Sequence, residues 1–450
     1  MKLAPFGRST RVSRDVPVDR LTPDDDLFVK MDVVLDLPVV TQTLWRFPGT
    51  IDVDAIASVA ERLRRGRLGR LVGSHRGPGR AYWRYTHDAG DFAIDTEPLP
   101  AGGEEAWGRA RALDPLDIVN GPAWRLSVAR TVDDASVVVS LTIAHVIADG
   151  GAGTSAIVEA VNATPYLPGT TPGIADDVFD AVDLLRTAGT TAYRVWRESR
   201  GGSPESPARV TDNPAPDTDL TGAEATPNAT VLIPHADYAA AATSRGGTDN
   251  SLFAALMVGI LKRCGRVSDG DVVPVSLPVS TRTDGDRRAN ATSGATAFVE
   301  VAPGRYEDLT DVRVACKEAY GRLAEKSSAV ANSAVILQAV NDSIARRLAA
   351  NASTPLCLAS NFGPMPDEFV TLGTGTRATM AIRAVTVTED VTQLRDRKGG
   401  ISGWLGINGD HVMLSVSSLD PVRIPDASAM RGLLTDELAA WGLHGTGWGA

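Results

Sequence analysis

The chain has 450 residues, which is too long for one small core and predicts two domains or one large unit of two similar halves. Hydrophobic residues make up 43% and charged residues 22%, as in globular proteins, and a net charge of −10 argues against a nucleic-acid partner. The three cysteines are far apart in the sequence, so neither a disulfide framework nor a zinc site is predicted and a cytoplasmic setting is favoured.

The first twenty residues lack the apolar segment of a secretion signal. The longest strongly apolar stretch, residues 252–261, is much shorter than the roughly 20 residues that cross a bilayer, and it predicts a buried helix. Peripheral contact with a membrane surface remains compatible with the sequence. The densest basic segment, residues 62–70, is interpreted as the solvated end of an amphipathic helix, with contact to anionic lipid or phosphate as the alternative.

The first half of the chain, residues 1–165, is predicted to form one lobe of mixed strands and helices. Apolar residues at helical spacing predict a helix over 53–65. Residues 137–143 are almost wholly apolar and mostly β-branched, which predicts a buried strand. The remaining predictions for this lobe are strands over 41–47, 81–85 and 124–130 and a helix over 154–163.

Residues 166–228 are predicted to connect this lobe to a second one, through a helix over 178–200 and a linker over 201–227 that is rich in Pro, Gly, Ser and Asp. The second lobe covers 229–450. Its strands are predicted over 230–233, 272–279, 296–301, 356–359, 378–388, 401–407 and 411–416, and its helices over 238–244, 251–264, 308–326, 335–348 and from 426. Strands and helices do not alternate strictly, which favours a mixed α/β (α+β) arrangement over a Rossmann or barrel fold.

The candidate catalytic residue is His145, which directly follows the predicted buried strand. Asp149 and Gly150 follow within a glycine-rich turn that lets another group approach closely. A histidine at the edge of a cleft is suited to proton transfer near neutral pH. The short pattern is weak by itself. On the residues alone, a histidine packed beneath a turn and bonded to Asp149 is an equal alternative.

Three other chemistries are set aside. A metal site at His145 and Asp149 would need further ligands, and the other histidines have no compatible spacing. The glycine-rich turn lacks the lysine of a phosphate-binding loop. The sequence contains no Gly-x-Ser-x-Gly elbow of a serine hydrolase.

Several segments together resemble the HxxxD acyltransferase superfamily, which includes chloramphenicol acetyltransferase, nonribosomal peptide condensation domains and polyketide-associated acyltransferases. The wax ester synthase/diacylglycerol acyltransferase group is the most similar. The segments that carry the resemblance are residues 20–28 (RLTPDDDLF), 115–124 (PLDIVNGPAW), 144–150 (AHVIADG), 274–282 (PVSLPVSTR) and 360–364 (SNFGP). One departure is Ala144, which stands where the family has the first histidine of its pair.

The resemblance implies two chloramphenicol-acetyltransferase-like lobes with a tunnel at their interface. His145 would be the general base that moves an acyl group from a thioester, acyl-CoA, to an alcohol or amine acceptor. No cofactor is implied, because the thioester is a co-substrate. Two alternatives stay open: a condensation-type transferase of specialised metabolism that takes its acyl group from a carrier protein, and a non-catalytic binding relative, which Ala144 suggests.

The resemblance also assigns roles to further residues. Asp149 would pair with Arg282 and orient the motif. The backbone N–H near Gly150 and the side chain of Asn361 would donate to the oxyanion. The remaining candidates for substrate binding are Ser360, Asn290 and Asn250. For Asn250 a helix cap is the favoured interpretation, and for Asn290 the alternative is a solvated loop residue.

Overall fold

Two large β-sheets and the helices packed on them organise the described residues into two lobes, and two further strands pair in a small separate sheet. The computed structural model describes residues 18–73, 79–200, 207–211, 213, 220–325, 329–340, 342–349, 355–388, 390–396 and 399–449. The described strands are β1 (Val39–Pro48), β2 (Arg70–Gly73), β3 (Tyr82–Tyr85), β4 (Gly90–Ile94), β5 (Trp124–Arg130), β6 (Ser136–Ala144), β7 (Asn228–Pro234), β8 (Val272–Ser280), β9 (Thr292–Glu300), β10 (Cys357–Pro364), β11 (Thr379–Thr386), β12 (Ile401–Asn408), β13 (His411–Ser418) and β14 (Thr446–Gly447).

The α-helices are α1 (Pro23–Val29), α2 (Val53–Arg65), α3 (Glu104–Ala112), α4 (Gly150–Val161), α5 (Ile174–Ser199), α6 (His235–Thr243), α7 (Asp249–Arg263), α8 (Thr310–Glu325), α9 (Ala329–Gln338), α10 (Asp342–Ala349), α11 (Asp367–Thr371), α12 (Val391–Asp396) and α13 (Ala427–Ala440). A π-helical turn, Lys30–Val34, continues α1, and a 3₁₀ turn, His87–Ala89, precedes β4.

The sheet of the first lobe has the strand order β11-β1-β6-β5-β4. Strand β6 is buried along its whole length, as its run of β-branched residues predicts. Helices α2 and α4 pack against each other in the core of this lobe. The edge strand β11 belongs to the second half of the sequence and pairs with β1 over eight residues. The predicted boundary between the lobes at residue 229 therefore does not apply to β11. This strand follows the boundary in sequence, but its hydrogen bonds with β1 make it part of the sheet of the first lobe.

The sheet of the second lobe has the order β14-β7-β13-β12-β10-β8-β9. Helix α7 lies inside this lobe, and every residue from Ser251 to Leu261 is buried, as the apolar stretch predicts. Thr248 caps this helix in a reciprocal pair with Ser251. The sequence placed the cap at Asp249, Asn250 or Ser251, which is wrong by one residue or more. A threonine oxygen bonds the N–H three residues on, so the cap lies just before the helix.

The predicted elements differ from the observed ones mainly at their ends. The helix predicted over 335–348 is two helices, α9 and α10, with a turn at 339–340. The helix predicted from 154 begins at Gly150, because Asp149 caps it. The predicted linker over 201–227 lies partly outside the described residues, and residues 1–17 lie wholly outside them. Among the described helices, none is both long and apolar enough to cross a bilayer.

The basic segment 62–70 is less solvated than predicted. Arg67 is buried and bonds both carboxylate oxygens of Glu159. The side chain of Arg70 is fully buried, and its guanidinium lies 4.6 Å from the ring of Trp83 and donates to the carbonyl of Ile147 at 2.7 Å. Arg70 therefore supports the turn that follows His145, and Arg67 binds helix α4.

Candidate active site

Strand β6 presents His145 at the point where the strand ends. The backbone N–H of His145 donates to the carbonyl of Val39 at 2.9 Å, one step beyond the last β1–β6 pair. The preceding residue, Ala144, is buried in the core of the first lobe and donates to Ala123 at 2.9 Å. Neighbouring chain segments on both sides therefore fix the backbone from which the imidazole projects.

Two side chains hold the imidazole ring itself. The ring of Phe28 is stacked on it, with centroids 3.9 Å apart and planes inclined by 16°. At the edge of the ring, Nδ1 lies 3.0 Å from Oδ1 of Asn290. The ring is partly buried, and among the described residues no group bonds its Nε2. The free edge of the imidazole is thus the one that carries Nε2.

The pKa of His145 lies below its ordinary value of about 6.5. Burial is the main cause, because it disfavours the charged imidazolium, and it outweighs the opposing effects of Asp149, of the residue's own backbone and of the hydrogen bond with Asn290. The ring is therefore neutral at physiological pH, which is the state that a general base requires.

The carboxylate of Asp149 accepts from four donors, and the imidazole is not one of them. Its Oδ1 accepts from Nη2 of Arg282 at 2.7 Å and from the N–H of Ala152 at 2.7 Å. Its Oδ2 accepts from the N–H of Ala291 at 2.8 Å and from the hydroxyl of Thr292 at 3.2 Å. The sequence predicted the ion pair with Arg282, and the structure contains it.

Burial acts to raise the pKa of Asp149, but Arg282 and the N–H groups that it accepts more than offset this, so the pKa lies below its ordinary value. The guanidinium of Arg282 also donates to the carbonyls of Arg288 and Ala289, both at 2.8 Å. These hydrogen bonds connect the start of α4 to the loop that precedes β9.

That loop, residues 281–291 between β8 and β9, crosses from the second lobe onto the first. Ala289 is packed in the core of the first lobe, and its carbonyl accepts the N–H of Asp149 at 3.0 Å. Arg287 donates to Asp19 at 2.5 Å from the same loop. We name residues 281–291 the crossing loop. It brings Asn290 and Arg282 to the histidine, from which they are far apart in sequence.

Asn290, which was predicted to contact substrate, is buried beside His145, and its contact with substrate remains a prediction. Its Nδ2 lies within hydrogen-bond distance of Asp25 Oδ1 at 3.0 Å and of the carbonyls of His145 and Val146, each at 3.2 Å. The alternative interpretation, a solvated loop residue, is wrong. The crossing loop carries this residue into the first lobe and leaves its amide bonded to protein groups.

The other predicted residues lie on the side of the second lobe. The ring of Phe362 packs against Gly150, where a Cβ atom would come within 2.7 Å of it. Its neighbour Asn361 donates to Oδ1 of Asn250 at 3.3 Å and accepts the N–H of Gly363 at 2.8 Å. Strand β10, which also carries the partly buried Ser360, is therefore in contact with the start of α4.

Asn250 is not the helix cap. Its Nδ2 donates to the hydroxyl of Tyr320 at 3.0 Å while its Oδ1 accepts from Asn361. It is a partly buried polar residue beside the 360–364 segment, and its predicted contact with substrate remains a prediction.

Sequence reasoning missed two residues, Asp25 and Phe28. Asp25 is buried, accepts from the backbone and side chain of Asn290, and forms a reciprocal cap of α1 with Thr22. Burial is the main reason why its pKa is raised, although Thr22, Arg70 and Asn290 oppose the effect. The Thr-x-x-Asp spacing of a helix cap is the signal that marks Asp25 as ordered.

No protein-family model and no curated protein matches the sequence. Solved structures match over nearly the whole chain. The first condensation domain of the CDA synthetase has a TM-score of 0.57 at 14% identity and covers 96% of this chain and 99% of its own. A wax ester synthase/diacylglycerol acyltransferase from Marinobacter aquaeolei VT8 has a TM-score of 0.55 at 16% identity, covering 94% and 98%.

The chain has the CoA-dependent acyltransferase fold. A third structure with this fold, polyketide synthase associated protein 5 from Mycobacterium tuberculosis, matches with a TM-score of 0.52 at 14% identity over 93% of this chain and 98% of its own. The predicted mixed α/β architecture with two sheet-containing lobes is confirmed. At these identities the matches establish the fold, so the chemistry has to be argued from the residues around His145.

Proposed function

We propose that the protein is an acyltransferase in which His145 is the general base, with acyl-CoA as donor and an alcohol as acceptor. The observation that carries the proposal is the environment of one ring: the imidazole has its Nδ1 edge bonded to Asn290 and its Nε2 edge free of protein partners among the described residues. Burial also lowers the pKa of this ring, which favours its neutral form. A buried histidine with a purely structural role usually has both nitrogens satisfied.

The reaction would proceed in two steps. Nε2 of His145 takes the proton of the acceptor hydroxyl while the oxygen forms a bond to the thioester carbonyl carbon. The tetrahedral intermediate then collapses, the carbon–sulfur bond breaks, and the thiolate receives the proton from Nε2. The products are an ester and a free thiol, and the imidazole returns to its neutral form.

The tetrahedral oxyanion needs hydrogen-bond donors on the same side of the ring. We propose the backbone N–H near Gly150, at the start of α4, and the amide of Asn361 for this role. The glycine supports the assignment, because only a residue without Cβ leaves the ring of Phe362 in place beside the helix start. A tunnel between the lobes would bring the two substrates to this point from opposite sides.

The donor could instead be a thioester on a carrier protein. The similarity in fold to the CDA synthetase condensation domain supports this second candidate. The two candidates differ in donor docking, because acyl-CoA alone should support turnover only in the first. Ser360 and Asn250 lie on the second-lobe side of the candidate site and are the proposed contacts for the substrate.

The test is an assay of thiol release and ester formation with acyl-CoA donors of graded chain length and a panel of primary alcohols. A parallel assay uses the same acyl groups on a carrier protein. We expect His145→Gln to lower kcat by about 10²–10⁴-fold while the fold is retained. Asn162→Ala, at the exposed end of α4, is the control and should keep full activity. Equal turnover by wild type and His145→Gln would refute the proposed base.

A further inference from the structure

We infer that Asp25 and Asn290 form a positioning pair that holds His145 in the tautomer with the proton on Nδ1 and the lone pair on Nε2. The inference deepens the proposed function and rests on it for its catalytic meaning. The three side chains form a chain of contacts: Asp25 Oδ1 to Asn290 Nδ2 at 3.0 Å, and Asn290 Oδ1 to His145 Nδ1 at 3.0 Å.

The orientation of the Asn290 amide follows from its neighbours. Its Nδ2 faces three groups that can only accept at this point: the carboxylate of Asp25 and the carbonyls of His145 and Val146. A flipped amide would point Oδ1 at these three oxygens, so the two carbonyls would lose this donor and Oδ1 of Asp25 would keep only the backbone N–H of Asn290. Because unpaired buried acceptors are costly, the amide keeps its NH₂ on this side and its Oδ1 on the side of the imidazole.

Asp25 makes this orientation firm. Its Oδ1 accepts both the backbone N–H of Asn290 at 2.8 Å and the side-chain NH₂, and its Oδ2 accepts the N–H of Thr22 at 2.9 Å. The same carboxylate caps helix α1, which carries the Phe28 ring that is stacked on the imidazole. One buried residue therefore sets both the amide at the edge of the ring and the helix at its face.

The tautomer of His145 follows from the amide. Since Asn290 presents an oxygen, Nδ1 must donate, and the lone pair of the neutral ring lies on Nε2. When Nε2 takes a proton, the Nδ1–H bond to the amide oxygen stays in place, so the imidazolium needs no rearrangement. Serine proteases show the size of such an effect: loss of the correct tautomer there costs on the order of 10⁴ in kcat.

The decisive experiment is ¹⁵N NMR of the full chain labelled with ¹⁵N-histidine. The chain has six histidines, so the signals of His145 must be assigned. The signals of His145 are assigned by comparison with His145→Gln. We expect wild type at neutral pH to show a protonated Nδ1 and a pyridine-type Nε2. Asn290→Leu keeps the branched shape of the side chain but removes the acceptor, and we expect it to shift His145 toward the Nε2–H form, with a kcat loss of about 10²-fold or more and little change in KM for the donor.

Asn228→Leu is the matched control, because Asn228 is also a buried asparagine that bonds an arginine side chain, Arg383, and a backbone carbonyl. We expect it to lower stability without moving the signals of His145.

If Asn290→Leu does not fold, Asp25→Asn is the second variant that tests the inference. An amide at position 25 allows the side chain of Asn290 to flip, so we expect a mixture of His145 tautomers. An Nε2–H tautomer in wild type, or an unchanged tautomer in the folded variants, would overturn the inference. The NMR readout does not depend on turnover, so it stands even if no acyl transfer is found.

Discussion

The surroundings of His145 favour the neutral form of its imidazole. Burial lowers its pKa, and the nearby negative charge of Asp149 opposes the shift without cancelling it. A general base works best when its neutral form dominates at the working pH. The position at the end of a fully paired strand adds a fixed backbone to this electrostatic setting.

The lowered pKa of His145 predicts the pH profile. A group whose pKa is below 6.5 stays unprotonated as the pH falls through that value, so activity should persist there and decline only at lower pH. We expect the acidic limb of kcat/KM for the free enzyme to have an apparent pKa below about 6.5. A limb above 6.5 would mean that the ring is stabilised as imidazolium, contrary to the burial described here.

The ion pair of Asp149 and Arg282 predicts a large loss of stability when one partner is removed. Both side chains are nearly buried, with 8% and 12% of their surface exposed. Arg282→Met leaves a buried carboxylate without its cation, and we expect the free energy of unfolding to fall by about 3–5 kcal/mol. Urea denaturation measures this change, and a loss as small as that of an exposed pair would contradict it.

The control for this pair is the double variant Asp149→Asn/Arg282→Met. Because the two residues share one interaction, the loss in the double variant should be clearly smaller than the sum of the two single losses. Strict additivity would show that they do not act as a pair.

At the level of elements, helix starts determine the geometry of the site. Helix α4 begins at Gly150 because Asp149 caps it, and helix α1 begins after the Thr22–Asp25 cap. Each cap residue also holds the crossing loop, through Ala291 for Asp149 and through Asn290 for Asp25. The side chains of Asp149 and Asp25 therefore stabilise the starts of helices α4 and α1 and also bind the crossing loop that joins the lobes.

The contact between Gly150 and Phe362 predicts a steric variant. In Gly150→Ala the new methyl group would overlap the ring, so the ring must move, and we expect kcat/KM to fall by about 10²-fold. Gly189→Ala is the control: no heavy atom lies within 4 Å of its Cβ position inside α5, so this variant should gain up to about 1 kcal/mol and keep its activity. Equal activities of the two variants would contradict the steric argument.

The cap of α7 predicts a second contrast. Thr248→Ala removes the side-chain bond to the N–H of Ser251 and should lower the free energy of unfolding by about 1 kcal/mol. Asn250→Ala leaves the cap intact and should change it by about 0.5 kcal/mol or less. Denaturant midpoints of the two variants test the assignment, which fails if Asn250→Ala is the more damaging change.

In the whole molecule, the lobes share structure. Strand β11 from the second half completes the sheet of the first lobe, and the crossing loop delivers Asn290 and Ala289 to it. A fragment of residues 1–165 lacks both, so one edge of its sheet is unpaired. We expect this fragment to show no cooperative thermal transition by circular dichroism, whereas a sharp transition would show that the first lobe folds alone.

The sequence predicts those parts of this fold that local patterns encode. Helix α2 and strand β5 have the predicted bounds, because an amphipathic stripe predicts the helix and the Gly-Pro break before Trp124 marks where the strand begins. Helix α3 was missed, since its sequence EEAWGRARA has no clear apolar stripe. The joining of β11 to β1 depends on pairing between residues more than 300 positions apart, which no local pattern carries.

The same distinction applies to the candidate site. His145, Asp149 and Gly150 form a contiguous motif, and the resemblance to a known superfamily supplied Arg282. The role of Asn290 was misjudged and Asp25 was missed, because their contact joins residues 265 positions apart. The polar character of a loop asparagine does not reveal that the loop crosses onto another lobe.

The most direct test of the account is a crystal structure of the protein with a non-hydrolysable thioether analogue of acyl-CoA and an alcohol acceptor. We expect the acceptor oxygen to lie within about 3.2 Å of Nε2 of His145, on the ring edge opposite Asn290. We also expect the carbonyl carbon of the analogue to lie within about 3.5 Å of the acceptor oxygen. An analogue bound away from His145, or an imidazole that no bound ligand reaches, would contradict it.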